Sequence, residues 1–425
     1  MIWSRYNYLF SAKGKFFLYN SLSNGFAELD SETYNYICSN KNCIEKLHSC
    51  TGLFEQLYEM KAIVESDDTE FNKIKFCSIA ERFSNRKLEL TINPTLDCNF
   101  ACPYCFESSH KHTYMDDEIE NKIIEYIKQY DKIEELRVTW FGGEPLMAYN
   151  RIESLSKKIL DLGTDYKAGM ITNGYLLNEK IIKNLESLHI YSLQITLDGL
   201  AHIHDSRRFL KNGGATFNRI ISNVDLIDRT SPQTKVFIRV NIDKSNMNDF
   251  IEIYKYIQEK GYKNTYISPA FVDDMSKESR NPCVFNQRDK MLFVRKLLKK
   301  YNLDFSLLYP NSNRHECAVR NPMSTVIGPE GELYKCWNDV GNKEKIYGYI
   351  DGQVVNEALL LQYLMGADPF ENKKCINCIL LPVCSGGCPH HRLLFQNKAT
   401  NQDTCPLQKK YLKTLLTLHY ETKSK

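Results

Sequence analysis

The chain has 425 residues, more than one ordinary core holds and enough for two or three units, one of them barrel-sized. With 43% hydrophobic and 25% charged residues it should fold as a globular protein, and a net charge of +3 excludes the basic footprint of a DNA or RNA binder. No stretch reaches about 18 consecutive apolar residues, and the start, Met1-Ile2-Trp3-Ser4-Arg5, has no apolar run ending in a cleavage site, so the expectation is a cytoplasmic protein with no membrane partner. In that reducing compartment 15 cysteines at short regular spacings read as metal ligands, not disulfides.

Residues 1 to about 85 alternate aromatic runs such as Lys15-Phe16-Phe17-Leu18-Tyr19 with turn residues, then turn helical near Ser31 to Cys38, which predicts a small α+β unit. From about residue 88 the pattern becomes strand then helix, with strands near 89–94, 136–141, 168–172, 190–197, 235–242 and 264–269. Six such units imply a parallel sheet, either doubly wound or a full or partial barrel, with its active site at the C-terminal strand ends. A helix near Gln287 to Tyr301 leads to a region rich in Cys, Gly and Pro, in which 325–334 reads as a hairpin. The predicted division is therefore 1–85, a core at 86–285, a linking helix at 286–313 and a cysteine-rich domain at 314–425.

The loop after the first core strand carries Cys98, Cys102 and Cys105 in a CxxxCxxC spacing. A four-iron cluster takes four thiolates, so three leave one iron open to a small molecule; zinc or buried free thiols are the plain alternatives. After the second strand comes Phe141-Gly142-Gly143-Glu144-Pro145, where glycines let backbone approach a ligand and a carboxylate can accept from an ammonium group. Thr172-Asn173-Gly174 follows the third strand and Leu197-Asp198-Gly199 the fourth. Each alone is an ordinary turn; four in strand order form a constellation.

Residues from about 88 to 285 resemble the core of the radical S-adenosylmethionine (radical SAM) superfamily. The resemblance implies a partial (β/α)6 TIM-like barrel in an α/β fold. It puts Cys98, Cys102 and Cys105 on a 4Fe-4S cluster whose open iron chelates S-adenosylmethionine, cleaved by one electron to a 5′-deoxyadenosyl radical. It also implies Tyr104 against the adenine, Gly142, Gly143 and Glu144 at the methionine ammonium, and Thr172, Asn173 and Asp198 near the ribose or carboxylate. Arg208 matches the position that pairs with the carboxylate, with its neighbour Arg207 as the competing choice.

The C-terminal region reads Cys317, thirteen residues, Gly331, four residues, Cys336, then Cys375, Cys378, Cys384, Cys388 and Cys405. Residues 375 to 388 alone could form a zinc ribbon. The whole order resembles the SPASM domain of radical enzymes that modify peptides and proteins. That resemblance implies two auxiliary 4Fe-4S clusters: an outer one on Cys375, Cys378, Cys384 and Cys405, and an inner one on Cys317, Cys336 and Cys388. Leu308 to Glu316 contains no further cysteine, so the inner cluster is expected to be open unless Cys283 completes it.

Cys38, Cys43, Cys50 and Cys77 fit no cluster loop and read as ordinary thiols, His390 and His391 as surface groups near a cluster, and Lys409 to Lys425 as a solvated helix face. The acid that follows the second hairpin cysteine in sulfatase-maturing relatives is Trp337 here, which leaves Asp339 as the candidate base. The expected function is maturation of a ribosomally made precursor peptide by a thioether or carbon-carbon crosslink, with reduced flavodoxin or a ferredoxin as electron donor and the first 85 residues available for strand addition by a leader peptide. Alternatives are oxidation of a protein side chain as in sulfatase activation, a non-catalytic iron-sulfur scaffold, and a zinc-binding interaction module.

Overall fold

The computed structural model describes residues 1–105, 112–130, 132–272, 283–303, 309–310, 317–397 and 405–423. The chain divides into two compact units: one of residues 84–286 and 318–364, the other of residues 1–83, 287–317 and 365–425.

The unit built from both ends of the chain begins with β1 (Ile2–Trp3), β2 (Asn7–Ala12), β3 (Lys15–Asn20), β4 (Gly25–Leu29) and β5 (Ile63–Val64). β2, β3 and β4 form an antiparallel meander, and β1 pairs with β5. Alternation along β3 sends Leu18 to one face, where it meets Ile37, Leu47 and Leu57 from α1 (Ser31–Asn40), α2 (Ile44–His48) and α3 (Thr51–Glu59). Phe17 and Tyr19 go to the other face with Phe10, where they pack on Leu380, Val383, Leu412 and Leu416. The first strands and the last helix (Leu407–Lys423) thus share one core. α4 (Asp67–Arg82), capped by Ser66, ends at an ion pair between Arg82 and Asp368, 2.9 Å apart and both buried.

The second unit holds β6 (Lys87–Ile92), β7 (Glu135–Trp140), β8 (Asp165–Thr172), β9 (Ile190–Leu197), β10 (Lys235–Ile242) and β11 (Thr265–Phe271), all parallel and hydrogen-bonded in sequence order. A doubly wound sheet needs a point where strand order reverses. None occurs among these six, so the strands run as in a partial barrel and their C-terminal ends stay side by side. Every second residue of β6 (Leu88, Leu90, Ile92) and β10 (Val236, Ile238, Val240, Ile242) is buried. α5 (Asp117–Lys128) and α6 (Tyr149–Leu160) bury Ile123 and Ile127, and Ile152, Leu155 and Ile159, at helical spacing. α7 (Glu179–Asn184), α8 (Ala201–Arg207), α9 (Phe217–Thr230) and α10 (Phe250–Glu259) follow β8 to β10.

The hairpin expected in the C-terminal region forms as β12 (Ser324–Ile327) and β13 (Glu332–Tyr334), but it continues this sheet. β12 lies parallel to β6 on the side opposite β7, and β14 (Gly348–Tyr349) closes the order β11-β10-β9-β8-β7-β6-β12-β13-β14. Asn93 clamps the join, its backbone and side-chain nitrogens both donating to the Ile327 carbonyl at 2.9 and 2.8 Å.

Candidate active site and four-cysteine site

The loops at the C-terminal ends of β6 to β9 meet as expected, through contacts the sequence does not spell out. A Cβ on Gly142, at φ +118°, would sit 2.2 Å from the Thr95 carbonyl oxygen, and one on Gly143 2.3 Å from that of Asp97. The glycines therefore admit the cysteine loop itself. The Gly143 and Glu144 amides donate to Thr95 and Asp97 across that contact. Glu144 is buried and accepts from Thr172 Oγ1 at 2.6 Å, the Asn173 amide at 2.7 Å and the Leu146 amide at 3.1 Å. Burial pushes its carboxyl up and those bonds pull it back. Asn173 in turn donates to Asn99 Oδ1 at 2.7 Å, inside the cysteine loop.

Cys98, Cys102 and Cys105 are half-buried. Burial pushes the Cys98 thiol up to about 12, with the nearby charges of Glu144, Cys102 and Cys105 adding to the rise. Burial raises Cys102 likewise, so these two thiols hold their protons until a cationic centre displaces them. Asp97, which sequence reasoning passed over, pins this loop. It accepts from the Cys98 amide at 2.8 Å, Lys211 at 2.7 Å and Tyr114 at 3.0 Å, and lies 2.7 Å from His112 Nδ1. Burial works against its charge, but these partners hold Asp97 down at about 2. An acid directly before the first cysteine was the signal available.

Tyr104 donates to Asp198 Oδ2 at 2.6 Å and accepts from Arg208 at 2.9 Å, while the Arg207 guanidinium lies 4.9 Å from its ring centroid. The geometry separates the two arginines. Arg207 is committed to Asp198 at 2.8 Å and Asp243 at 3.1 Å. Arg208 meets no carboxylate among the described residues, and its Nε is a buried donor without a partner, as Asp198 Oδ1 is a buried acceptor without one. An orphaned cation and an orphaned carboxylate oxygen beside three thiols fit a zwitterionic ligand.

Trp337 is 44% exposed and leans on Phe141, with ring centroids 5.6 Å apart. Asp339 is buried and takes a short hydrogen bond from Tyr363, whose hydroxyl is pushed well up by burial and then by that carboxylate. Asp339 therefore has a proton partner, 24 residues along the chain, that no local motif marks.

In the other unit one cavity is lined by Cys375, Cys378, Cys384 and Cys405, together with Gly386, Arg392 and Lys409. The first three come from short helices around Lys373–Ile376 and Leu381–Cys384, and Cys405 lies two residues before the last helix. Ser385, with φ +48°, and Gly386, with φ +86°, turn the backbone behind Cys384. Four converging sulfurs satisfy the donor set of an iron-sulfur cluster. Arg392 Nη2 donates to Cys375 Sγ at 3.3 Å. Burial opposes the Lys409 ammonium, yet the sulfurs of Cys405, Cys378 and Cys375 raise it above the ordinary lysine value. The last helix is thus no solvated face: it buries Leu412, Leu415, Leu416 and Leu418 and turns Lys409 to the cysteines. His390 is buried as well, not on the surface.

Cys317 and Cys388 belong to this unit and are exposed; Cys336 belongs to the other and is buried. Cys283 gives its carbonyl to the Lys244 amide at 2.8 Å. Most of Leu308 to Glu316 lies outside the described residues. Cys38, Cys43, Cys50 and Cys77 are exposed. No helix among the described residues is long and apolar enough to cross a membrane.

Comparison with known proteins agrees with this geometry. A cysteine-type anaerobic sulfatase-maturating enzyme of Clostridium novyi (strain NT) is 24% identical over 338 residues, 72% of this chain and 89% of the relative. The structure of anSMEcpe with bound AdoMet and Cp18Cys peptide superposes with a TM-score of 0.60 at 18% identity, covering 80% of this chain and 99% of its own. Streptococcus suis SuiB bound to precursor peptide SuiA gives a TM-score of 0.55 at 15% identity and covers 96% of this chain and 99% of its own. Both have the fold described above. The Radical SAM superfamily model matches residues 92–257, from the last residue of β6 into α10, the segment that carries the cysteine loop and the three loops locked to it; these residues form a radical SAM domain.

Proposed function

We propose that this enzyme binds S-adenosylmethionine at Cys98, Cys102 and Cys105 and modifies a ribosomally made precursor peptide. A cluster held there would supply one electron to the sulfonium of S-adenosylmethionine, and the 5′-deoxyadenosyl radical so released would take a hydrogen atom from the peptide. Arg208 holds the methionine carboxylate, Asp198 offers its free oxygen to an ammonium or hydroxyl group, and Glu144 holds Thr172 and Asn173 in place. Asp339, with Tyr363 against it, takes the proton released as the new bond forms. Cys375, Cys378, Cys384 and Cys405 hold the outer auxiliary cluster. A flavodoxin- or ferredoxin-type protein supplies the electron.

One observation favours a peptide substrate above others. The match to anSMEcpe leaves about a fifth of the chain uncovered, whereas the match to SuiB, a protein solved with its precursor peptide, leaves too little to omit the N-terminal 83 residues. The β2-β3-β4 meander in that segment has two edge strands, either of which can accept an extended leader peptide. The names of the sulfatase-maturating relatives favour a second reading, oxidation of a protein cysteine or serine.

The test is anaerobic reconstitution with S-adenosylmethionine and dithionite, assayed for 5′-deoxyadenosine. Wild type should form it, and the Cys98, Cys102, Cys105 triple alanine variant should not. Peptides encoded beside the gene should then lose two hydrogens by mass. Conversion of a sulfatase-derived cysteine peptide to an aldehyde, with no change in those peptides, would replace this reading by the second.

A further inference from the structure

The four-cysteine cavity is bordered by two cations that its ligand chemistry does not require. Arg392 is only 6% exposed. Its hydrogen bonds go to Cys375 Sγ and the Gly386 carbonyl; its Nε is a buried donor without a partner, and no carboxylate meets it among the described residues. A buried guanidinium with no anion is costly, so the site is built around negative charge other than a carboxylate. Lys409 borders the same cavity from the last helix. The side chains come from different segments, Pro389–Gln396 and Leu407–Lys423, and converge only through the fold.

We infer that Arg392 and Lys409 are redox-tuning residues that raise the reduction potential of the cluster on Cys375, Cys378, Cys384 and Cys405, making it an acceptor for the electron left by peptide oxidation. The inference rests on the proposal that these cysteines bind iron and sulfide. An iron-sulfur centre gains one negative charge on taking up one electron, with no bond made or broken. A hydrogen bond to a ligand sulfur and fixed positive charge within a water-poor site both favour the reduced state. Arg392 supplies both effects and Lys409 the second. The electron comes from the substrate radical as it closes the new bond and gives its proton to a base, so charge and atoms balance without an added oxidant.

The experiment uses the full chain with Cys98, Cys102, Cys105, Cys317, Cys336 and Cys388 changed to Ala, so that this site alone is loaded. Iron, sulfide and zinc are counted, and the midpoint is measured by EPR-monitored redox titration. Arg392→Gln should favour the oxidised form at least tenfold, a fall of about 59 mV for a one-electron couple. Arg392→Lys should recover part of that fall, and Lys409→Gln should lower the midpoint by less. Unchanged midpoints at unchanged iron content overturn the inference and leave the cluster assignment standing. Should Arg392→Gln fail to take up iron, Lys409→Gln decides in the same way. Zinc in place of iron and sulfide overturns the cluster assignment, and the inference with it.

Discussion

Arg207 and Arg208 are adjacent and chemically equal, yet the fold gives them different work. Arg207 neutralises two buried carboxylates. Replacing it with Gln removes the cation that meets Asp198 and Asp243, which should cost about 3 kcal/mol of stability in urea denaturation. Arg208→Gln should spare the fold and weaken S-adenosylmethionine binding to the reconstituted protein by roughly tenfold to a hundredfold, the range of a charge-assisted hydrogen bond, measured by equilibrium dialysis. Spacing could not rank the two, because the ranking depends on which carboxylates the fold brings within reach. The glycines divide the same way. Gly142 and Gly143 were legible as special, but their neighbour is the backbone of residues 95 to 97, so Gly143→Ala should push the cysteine loop aside and lower iron content even without S-adenosylmethionine.

At the scale of elements, the strands after β5 were readable because alternation and flanking turns mark them locally: 190–197 and 235–242 form over those residues. The pairing of β12 with β6 was not, since more than 200 residues separate them and register leaves no trace in one sequence. α8 shows how an element can be fixed by one buried group. His204 accepts from the Asp198 amide at 3.3 Å through Nδ1 and sits 3.1 Å from Thr216 Oγ1 through Nε2. Burial, aided by Arg208, lowers its pKa to about 3. The unfolded chain takes up this proton near pH 6.5 and the folded one only near 3, so the stabilisation is complete above 6.5 and is lost as pH falls. Between those values His204 should contribute a slope of about 1.4 kcal/mol per pH unit to denaturation free energy. His204→Gln should flatten the profile by that amount.

At the scale of the whole molecule, the two ends of the chain build one unit, which reading in chain order divides into separate domains. Local pattern carries no information about a partner more than 350 residues away, so the Leu412 to Leu418 face had nothing in its own segment to oppose it and read as solvated. The consequence is a link between the N-terminal meander and the outer cysteine site. Phe17, on β3, packs with Leu380 and Val383, which lie just before Cys384, and with Leu412 and Leu416 in the helix that follows Cys405. Phe17→Ala removes a fully buried ring from that shared core and should cost about 3 to 5 kcal/mol. Because the cavity is defined by the same two segments, the loss should fall on the cluster at Cys375, Cys378, Cys384 and Cys405 more than on the Cys98 site. In anaerobically reconstituted protein, iron at the outer site should fall, and the variant should unfold at lower temperature. S-adenosylmethionine cleavage per remaining Cys98 cluster should stay near wild type, because Phe17 belongs to the other unit. Equal loss at both cysteine sites would mean that the meander supports the molecule globally and that the tie drawn here is too local.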